Sequence, residues 1–155
     1  MLLFVSVIIF NLMAYKFNKR LTPSQIVQIW TFTIAFQSLF DLIVEFKYHS
    51  YWYFGRGVDW LGLIPRLVLI PPVNILFLNW YPFNKSAGKR ILYVAVFVVV
   101  IVLYELATLL PEPWGYFHYG GWKIWYSVIV DPIILYCLVG FYKWVLYLES
   151  KSHLW

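Results

Sequence analysis

The sequence predicts an all-α membrane protein, a polytopic bundle of five transmembrane helices. Hydrophobic residues make up 63% of the 155 residues and charged residues only 12%, whereas soluble domains carry about 25% charged residues. A soluble chain of this size has too little interior to hide so much apolar surface. The apolar residues also form continuous blocks instead of alternating, which favours helices over a membrane β-barrel. We expect one transmembrane domain with spans at about 2–17, 23–45, 61–82, 91–110 and 122–148.

The first predicted span, 2–17, is followed at once by the basic segment KFNKR. In a secretory signal peptide the positive charges precede the apolar region, so this order favours an uncleaved span. The segment is about four residues shorter than the ~20 that usually cross a bilayer.

The second predicted span, 23–45, begins at Pro23, with Thr22 placed to cap the helix. It is unusually polar, and it carries Asp41 and Glu45 four residues apart. That spacing puts both carboxyl groups on one helix face, which we expect to contact other helices and not lipid.

The third span, 61–82, is the stretch around which we expect the other helices to pack, because it combines an apolar run with Arg66 and several prolines. Pro71 and Pro72 remove the hydrogen-bond partners of carbonyl groups one turn earlier. Broken backbone at membrane depth is tolerated only against protein or a water-filled cavity.

The last two spans, 91–110 and 122–148, are separated by an aromatic loop, 111–121, and a similar loop, 46–60, precedes the third span. The span 91–110 has one charge in twenty residues, Glu105. The span 122–148 contains Asp131 directly before a proline.

Basic residues predict the orientation of the bundle, because cytoplasmic loops of membrane proteins are enriched in Lys and Arg. Eight of the twelve basic residues fall after the first span, after the third span or near the chain end: Lys16, Lys19, Arg20, Lys85, Lys89, Arg90, Lys143 and Lys151. Five spans place these regions on one side, so we expect the N-terminus outside the cell membrane and the C-terminus in the cytoplasm. The net charge of +5 is then explained by topology, without nucleic acid as a partner.

Charged and polar side chains inside the predicted spans are the candidate functional residues, because burying them in lipid is costly. They are Asp41, Glu45, Arg66, Asn74, Glu105 and Asp131. One hypothesis is a polar pocket open to the outside, in which Arg66 faces Glu105 at equal depth and Asp131 lies near the floor. The alternative is that Arg66 extends to the interface and the acids only support helix packing.

Two loop histidines, His49 and His118, are weak candidates for a metal or haem site, since no paired histidine spacing accompanies them. The sequence holds no phosphate-binding loop or zinc-protease motif. We therefore expect no cofactor and no enzymatic activity.

Four stretches of the chain form a further pattern: PPVNILFLNWYPF, LYELATLL, YFHYGGWKIWYSVIVDPIILY and FYKW. Together they resemble a family of small, largely uncharacterised multi-span membrane proteins of endospore-forming Gram-positive bacteria. The resemblance covers roughly residues 22–145 and implies a five-helix bundle in the cell membrane and a sporulation setting. It implies no catalytic residues.

Three function classes remain open at this point. The leading hypothesis is a structural or partner-binding membrane protein organised by its outer polar cluster. The second is a small transporter or channel component that handles protons or cations through Asp131 and Glu105, with Arg66 as counter-charge. The third is a membrane-embedded enzyme or haem protein. A chain this small predicts a homo-oligomer or a larger membrane partner in the first two cases.

Overall fold

The apolar blocks form helices in the computed structural model, which describes residues 1–57 and 60–152. The helices are α1 (Leu2–Phe17), α2 (Pro23–Asp41), α3 (Trp60–Ile64), α4 (Ile70–Trp80), α5 (Ala87–Thr108) and α6 (Ile124–Ser152). Two short π-helical segments, Leu42–Lys47 and Pro65–Leu69, extend α2 and join α3 to α4. The helix ends differ from the predicted spans by at most four residues.

Four helical stretches are long and apolar enough to cross a membrane: Pro23–Lys47, Trp60–Trp80, Ala87–Thr108 and Ile124–Lys151. Helix α1 is equally apolar in character but shorter, with 16 residues. The expectation of a mostly helical protein with membrane-length helices is therefore confirmed.

The stretch Trp60–Trp80, here called the central helix, lies inside the bundle. In its most apolar window 56% of residues are buried, against 17 to 22% in the other three membrane-length helices. Helices α1 and α2 pack against it, and α6 packs against both α2 and α5. Ring contacts from Phe77 to Tyr93 and Phe97 join the central helix to α5. The bundle is thus built around the segment that the sequence singled out.

The start of α2 follows its sequence signals closely. The Thr22 hydroxyl accepts a hydrogen bond from the Gln25 amide, and the Gln25 side chain accepts one from the Thr22 amide. This reciprocal capping box satisfies two donors that the first helical turn would leave free.

A small antiparallel ribbon joins the two aromatic loops and is the part of the fold that the all-α prediction lacked. Strand β1 (Tyr51–Tyr53) pairs with β2 (Phe117–Tyr119), with Tyr51 opposite Tyr119. Aromatic side chains favour β-strands. Neither aromatic loop, however, contains a sequence signal that would identify a pairing strand far away in the chain. Gly120 allows the close approach, because a Cβ there would lie 2.5 Å from the His49 carbonyl oxygen.

The ribbon defines one end of the bundle, the ribbon end, and the loops with most basic residues define the other, the basic end. At the basic end the amides of Lys19 and Arg20 both donate to Asn79 Oδ1, at 2.9 and 3.2 Å. The Gln25 side chain donates to Glu149 near the end of α6, at 2.6 Å. These contacts hold the loop after α1, the end of the central helix and the end of α6 together.

Candidate functional site

Arg66 is buried at the ribbon end, where it binds two carboxyl groups of the preceding helix. Its Nε donates to Asp41 Oδ2 at 2.5 Å, and its Nη2 donates to Glu45 Oε2. Its Nη1 donates to the Gly62 carbonyl at 2.9 Å. Arg66, Asp41 and Glu45 are 5%, 1% and 3% exposed, so this ion cluster lies inside the protein.

The expected pairing of Arg66 with Glu105 is wrong, and so is the alternative in which Arg66 extends to the surface. The prediction rested on the equal depth of Arg66 and Glu105 in the membrane, and depth does not determine how each helix is rotated about its axis. The central helix packs on α2, and its π-helical segment turns Arg66 toward Asp41 and Glu45 rather than toward α5. The predicted common face of Asp41 and Glu45 is confirmed, because one guanidinium bridges both.

Aromatic and amide side chains complete the ion cluster. Tyr51 of β1 donates to Asp41 Oδ1 at 2.5 Å, and Gln37 Nε2 donates to the same oxygen at 2.9 Å. The guanidinium of Arg66 lies 4.8 Å from the centre of the Tyr53 ring, a cation–π contact. Burial raises the pKa of the Tyr51 phenol, and neighbouring Tyr53 and Asp41 raise it further. Tyr51 therefore stays protonated and keeps donating to Asp41.

The carbonyl groups freed by the prolines of the central helix are satisfied by side chains from two other helices. Trp30 Nε1 of α2 donates to the Leu67 carbonyl at 3.0 Å, and Asn11 Nδ2 of α1 donates to the Val68 carbonyl at 2.8 Å. The sequence analysis predicted the freed carbonyls but missed both donors. The sequence did contain one indication, since Asn11 is the single amide side chain in the mostly apolar helix α1.

A cavity of about 410 Å³ lies between the helices, beside the ion cluster. Its walls come from all the long helices and from the ribbon, and they are mainly apolar and aromatic. The aromatic lining is Phe10, Phe32, Phe36, Phe40, Tyr51, Tyr53, Trp80, Phe97, Tyr104, Tyr116, Phe117 and Trp122. Two carboxyl residues, Glu105 and Asp131, line it as well. Within the described residues Arg66 is not part of this lining.

Glu105 belongs to a hydrogen-bond network that ties three elements together. Tyr119 of β2 donates to Glu105 Oε1 at 2.5 Å, and the Ser127 hydroxyl of α6 donates to the same oxygen at 2.9 Å. Trp122 Nε1 in turn donates to the Ser127 hydroxyl at 2.9 Å. Burial raises the pKa of Tyr119, and its bond to Glu105 raises it further, so the phenol remains a donor.

Asp131 lies one helical turn after Ser127 on the same cavity. Its Oδ2 is buried and has no hydrogen-bond partner in the part of the chain that the structure describes. A buried polar atom without a partner costs about 1 to 3 kcal/mol, more when it is charged. The oxygen is therefore positioned to accept a hydrogen bond or a positive charge from a bound molecule.

The remaining candidate residues, Asn74, His49 and His118, do not belong to the ion cluster. Asn74 lines the cavity and donates to the Thr33 hydroxyl of α2 at 3.0 Å.

His49 is exposed beyond the end of α2, and His118 stacks on Trp52 across the ribbon, with ring centres 5.9 Å apart. Among residues 1–57 and 60–152, no group of three His, Cys, Asp or Glu side chains could hold a metal ion.

The candidate residues thus form two sites, an ion cluster (Asp41, Glu45, Arg66) and a cavity with two carboxyl groups (Glu105, Asp131). In the first, Arg66 forms salt bridges with both carboxyl groups, whereas neither carboxyl group of the second forms a salt bridge among the described residues. No family model, curated protein or solved structure matches this chain. The chemistry of these two sites is therefore the basis for a proposal about function.

Proposed function

We propose that the chain is a multi-pass, non-enzymatic protein of the bacterial cell membrane that binds an organic cation in its interhelical cavity. The bundle would cross the membrane five times, with α1 as a short first span and the basic end in the cytoplasm. A relationship to small membrane proteins of endospore-forming bacteria, expected from the sequence, is part of the same proposal. A second copy or a larger membrane protein would cover part of the exposed apolar surface.

The single observation that carries the proposal is the lining of the cavity. Two carboxyl groups, Glu105 and Asp131, lie among aromatic rings, and neither forms a salt bridge among the described residues. Carboxylates and aromatic faces together are the groups that attract organic ammonium and related cations in a site with little water. An apolar cavity with few polar groups also fits a ligand-binding pocket in general.

The ion cluster has a different role in this proposal. Each nitrogen of the Arg66 guanidinium donates to Asp41, Glu45 or the Gly62 carbonyl, so Arg66 orients α2 against the central helix. It is not the counter-charge of the cavity carboxylates, as the transporter hypothesis required. We infer that the cluster sets the shape of the cavity without contacting its ligand.

The proposal is tested by titrating the purified protein with tetraphenylphosphonium, a lipophilic cation, and following tryptophan fluorescence. Trp80 and Trp122 line the cavity, so occupancy should change their emission. We expect Asp131→Asn and Glu105→Gln to weaken binding about tenfold or more, which corresponds to about 1.4 kcal/mol. The matched control is Glu112→Gln, an exposed carboxyl group in the loop before β2, which should leave binding unchanged.

A neutral probe of similar shape, triphenylphosphine oxide, separates charge recognition from simple partition into an apolar space. Weaker binding of the neutral probe supports the proposal. Equal affinity of both probes, or tight cation binding by Asp131→Asn and Glu105→Gln, would overturn it.

Proton or metal-cation handling is the second candidate function, and one observation favours it. Asp131 Oδ2 is buried and has no hydrogen-bond partner in the described part of the chain, and Asp131 lines the same cavity as Glu105; carboxyl groups inside a membrane bundle occur in proton relays. In liposomes loaded with a pH-sensitive dye, this candidate predicts a proton flux that Asp131→Asn abolishes and Glu112→Gln preserves. A flux that Asp131→Asn leaves intact would exclude it.

A further inference from the structure

A second pocket, of about 360 Å³, lies at the basic end of the bundle, and its lining does not include the cavity carboxylates. Its lining combines two cations with two aromatic rings and one amide: Phe17, Lys19, Arg20, Asn79 and Trp80. Trp80 is 48% exposed, and its ring centre lies 6.3 Å from that of Phe17. Tryptophan and basic residues commonly meet in this way at the level of lipid headgroups.

The pocket is built by hydrogen bonds and does not depend on flexible surface side chains alone. Asn79 is 8% exposed, and it binds three backbone groups, one at the last residue of α1 and two in the loop after it. Its Oδ1 accepts from the amides of Lys19 and Arg20, and its Nδ2 donates to the Phe17 carbonyl at 2.9 Å. One buried amide therefore fixes the backbone on which both cations stand.

Arg20 is held in place by the end of the central helix. Its Nη1 donates to the Tyr81 carbonyl at 2.5 Å and to the Leu78 carbonyl at 3.3 Å, and its guanidinium lies 5.1 Å from the centre of the Phe83 ring. A guanidinium has five N–H donors, and both of these bonds use Nη1. The group is thus fixed in position and keeps donors for an anion.

We propose that this pocket binds the phosphate group of an anionic molecule, either a phospholipid headgroup or free phosphate. Arginine recognises phosphate through its planar set of donors, and lysine adds a mobile charge. The indole of Trp80 and the ring of Phe17 supply an apolar wall, which suits a headgroup at the membrane surface. The proposal can be tested apart from the cation-binding cavity, because Lys19, Arg20 and Asn79 line only this pocket, although Trp80 lines both.

The test is native mass spectrometry of the purified protein with equal amounts of phosphatidylglycerol and phosphatidylcholine. The variant is Lys19→Gln, because this exposed side chain can change without loss of the bonds to Asn79. The matched control is Lys89→Gln, an exposed lysine at the same end. One basic residue near anionic lipid is worth about 1 kcal/mol. We therefore expect Lys19→Gln to lower the retention of phosphatidylglycerol about fivefold and Lys89→Gln to leave it within twofold.

A parallel measurement in lipid-free micelles uses inorganic phosphate as the probe. Phosphate binding that Lys19→Gln removes assigns the site to free phosphate, and selective lipid retention without phosphate binding assigns it to a headgroup. Both outcomes support recognition of a phosphate group. Equal retention of the two lipids together with no phosphate binding, or equal losses in the two variants, would overturn the proposal.

Discussion

At the scale of single residues, Arg66 shows how one side chain can decide the packing of two helices. Arg66 is 5% exposed, and its guanidinium forms salt bridges with two buried carboxyl groups. A buried ion pair is not by itself strong evidence for stability, because desolvation opposes the attraction of the charges. Removing one member is nevertheless destabilising, since the remaining charges then stay buried without a partner.

We expect Arg66→Met to lower the free energy of unfolding in detergent by about 3 to 5 kcal/mol. The control Arg56→Gln, in the exposed part of the loop, should change it by no more than about 0.5 kcal/mol. The triple variant Arg66→Met, Asp41→Asn, Glu45→Gln should recover part of the loss, because it removes the unpaired charges as well. Denaturant titration of the purified variants measures all three.

The same variants test the corrected pairing of Arg66. In a double-mutant cycle, Arg66→Met and Glu105→Gln should be additive within about 0.5 kcal/mol, as expected for residues that share no partner. Arg66→Met and Asp41→Asn should show clear coupling. A coupling with Glu105 as large as that with Asp41 would contradict the ion cluster described above.

At the scale of elements, the central helix is interrupted, and its neighbours repair the interruption. Pro71 and Pro72 leave the Leu67 and Val68 carbonyls without their usual helical donors, and side chains of α2 and α1 replace them. A buried carbonyl without a donor costs free energy. The interruption therefore binds α1 and α2 to the central helix in one specific register.

We expect Asn11→Ala to destabilise the protein by about 1 to 2 kcal/mol, because the Val68 carbonyl then loses its donor. The matched control is Asn84→Ala, an exposed asparagine in the loop before α5, for which we expect a change within about 0.5 kcal/mol. Thermal unfolding in detergent distinguishes the two. Equal stability of both variants would show that Asn11 does not support the central helix.

The ribbon is the second element whose role depends on contacts between distant residues. Tyr51 of β1 binds Asp41 of the ion cluster, and Tyr119 of β2 binds Glu105 of the cavity. The two strands thus connect the two candidate sites at the same end of the bundle. A ligand that draws the Glu105 carboxyl group away from Tyr119 would also loosen the ribbon.

At the scale of the whole molecule, the chain has two chemically different ends. The ribbon end holds the buried acids and the aromatic strands, and the basic end holds most of the Lys and Arg residues. Basic residues collect on the cytoplasmic side of membrane proteins. The proposed orientation therefore places the carboxyl-lined cavity nearer the outer surface.

Single cysteines introduced into a Cys137→Ala background test this orientation. We expect Gly121→Cys, at the ribbon end, to react with a membrane-impermeant maleimide on intact cells. Asn84→Cys, at the basic end, should react only after permeabilisation. Both positions are exposed, and a Cβ at Gly121 meets no atom within 4 Å, so the substitutions should be tolerated. Labelling of both from the same side would contradict a bundle that spans the membrane between its two ends.

Much of the architecture could be read from the sequence, because apolar length and helix signals act locally. The start of α2 at Pro23 with its Thr22 cap and the central place of the stretch around Arg66 were both predictable. The ribbon could not be predicted, because β1 and β2 are separated by more than sixty residues and neither strand is stable alone. The donors Asn11 and Trp30 were missed for the same reason, as they act on backbone atoms of another helix.

The sequence by itself determined where the helices lie, which end is basic, and which buried charges need partners, because these follow from local apolarity and from the cost of burying charge. Only the tertiary structure decided the partners themselves. Helix rotation directs Arg66 to Asp41 and Glu45, and it leaves Glu105 and Asp131 on a shared cavity. Rotation is set by the packing of whole helix surfaces, which depth and spacing along one helix do not encode.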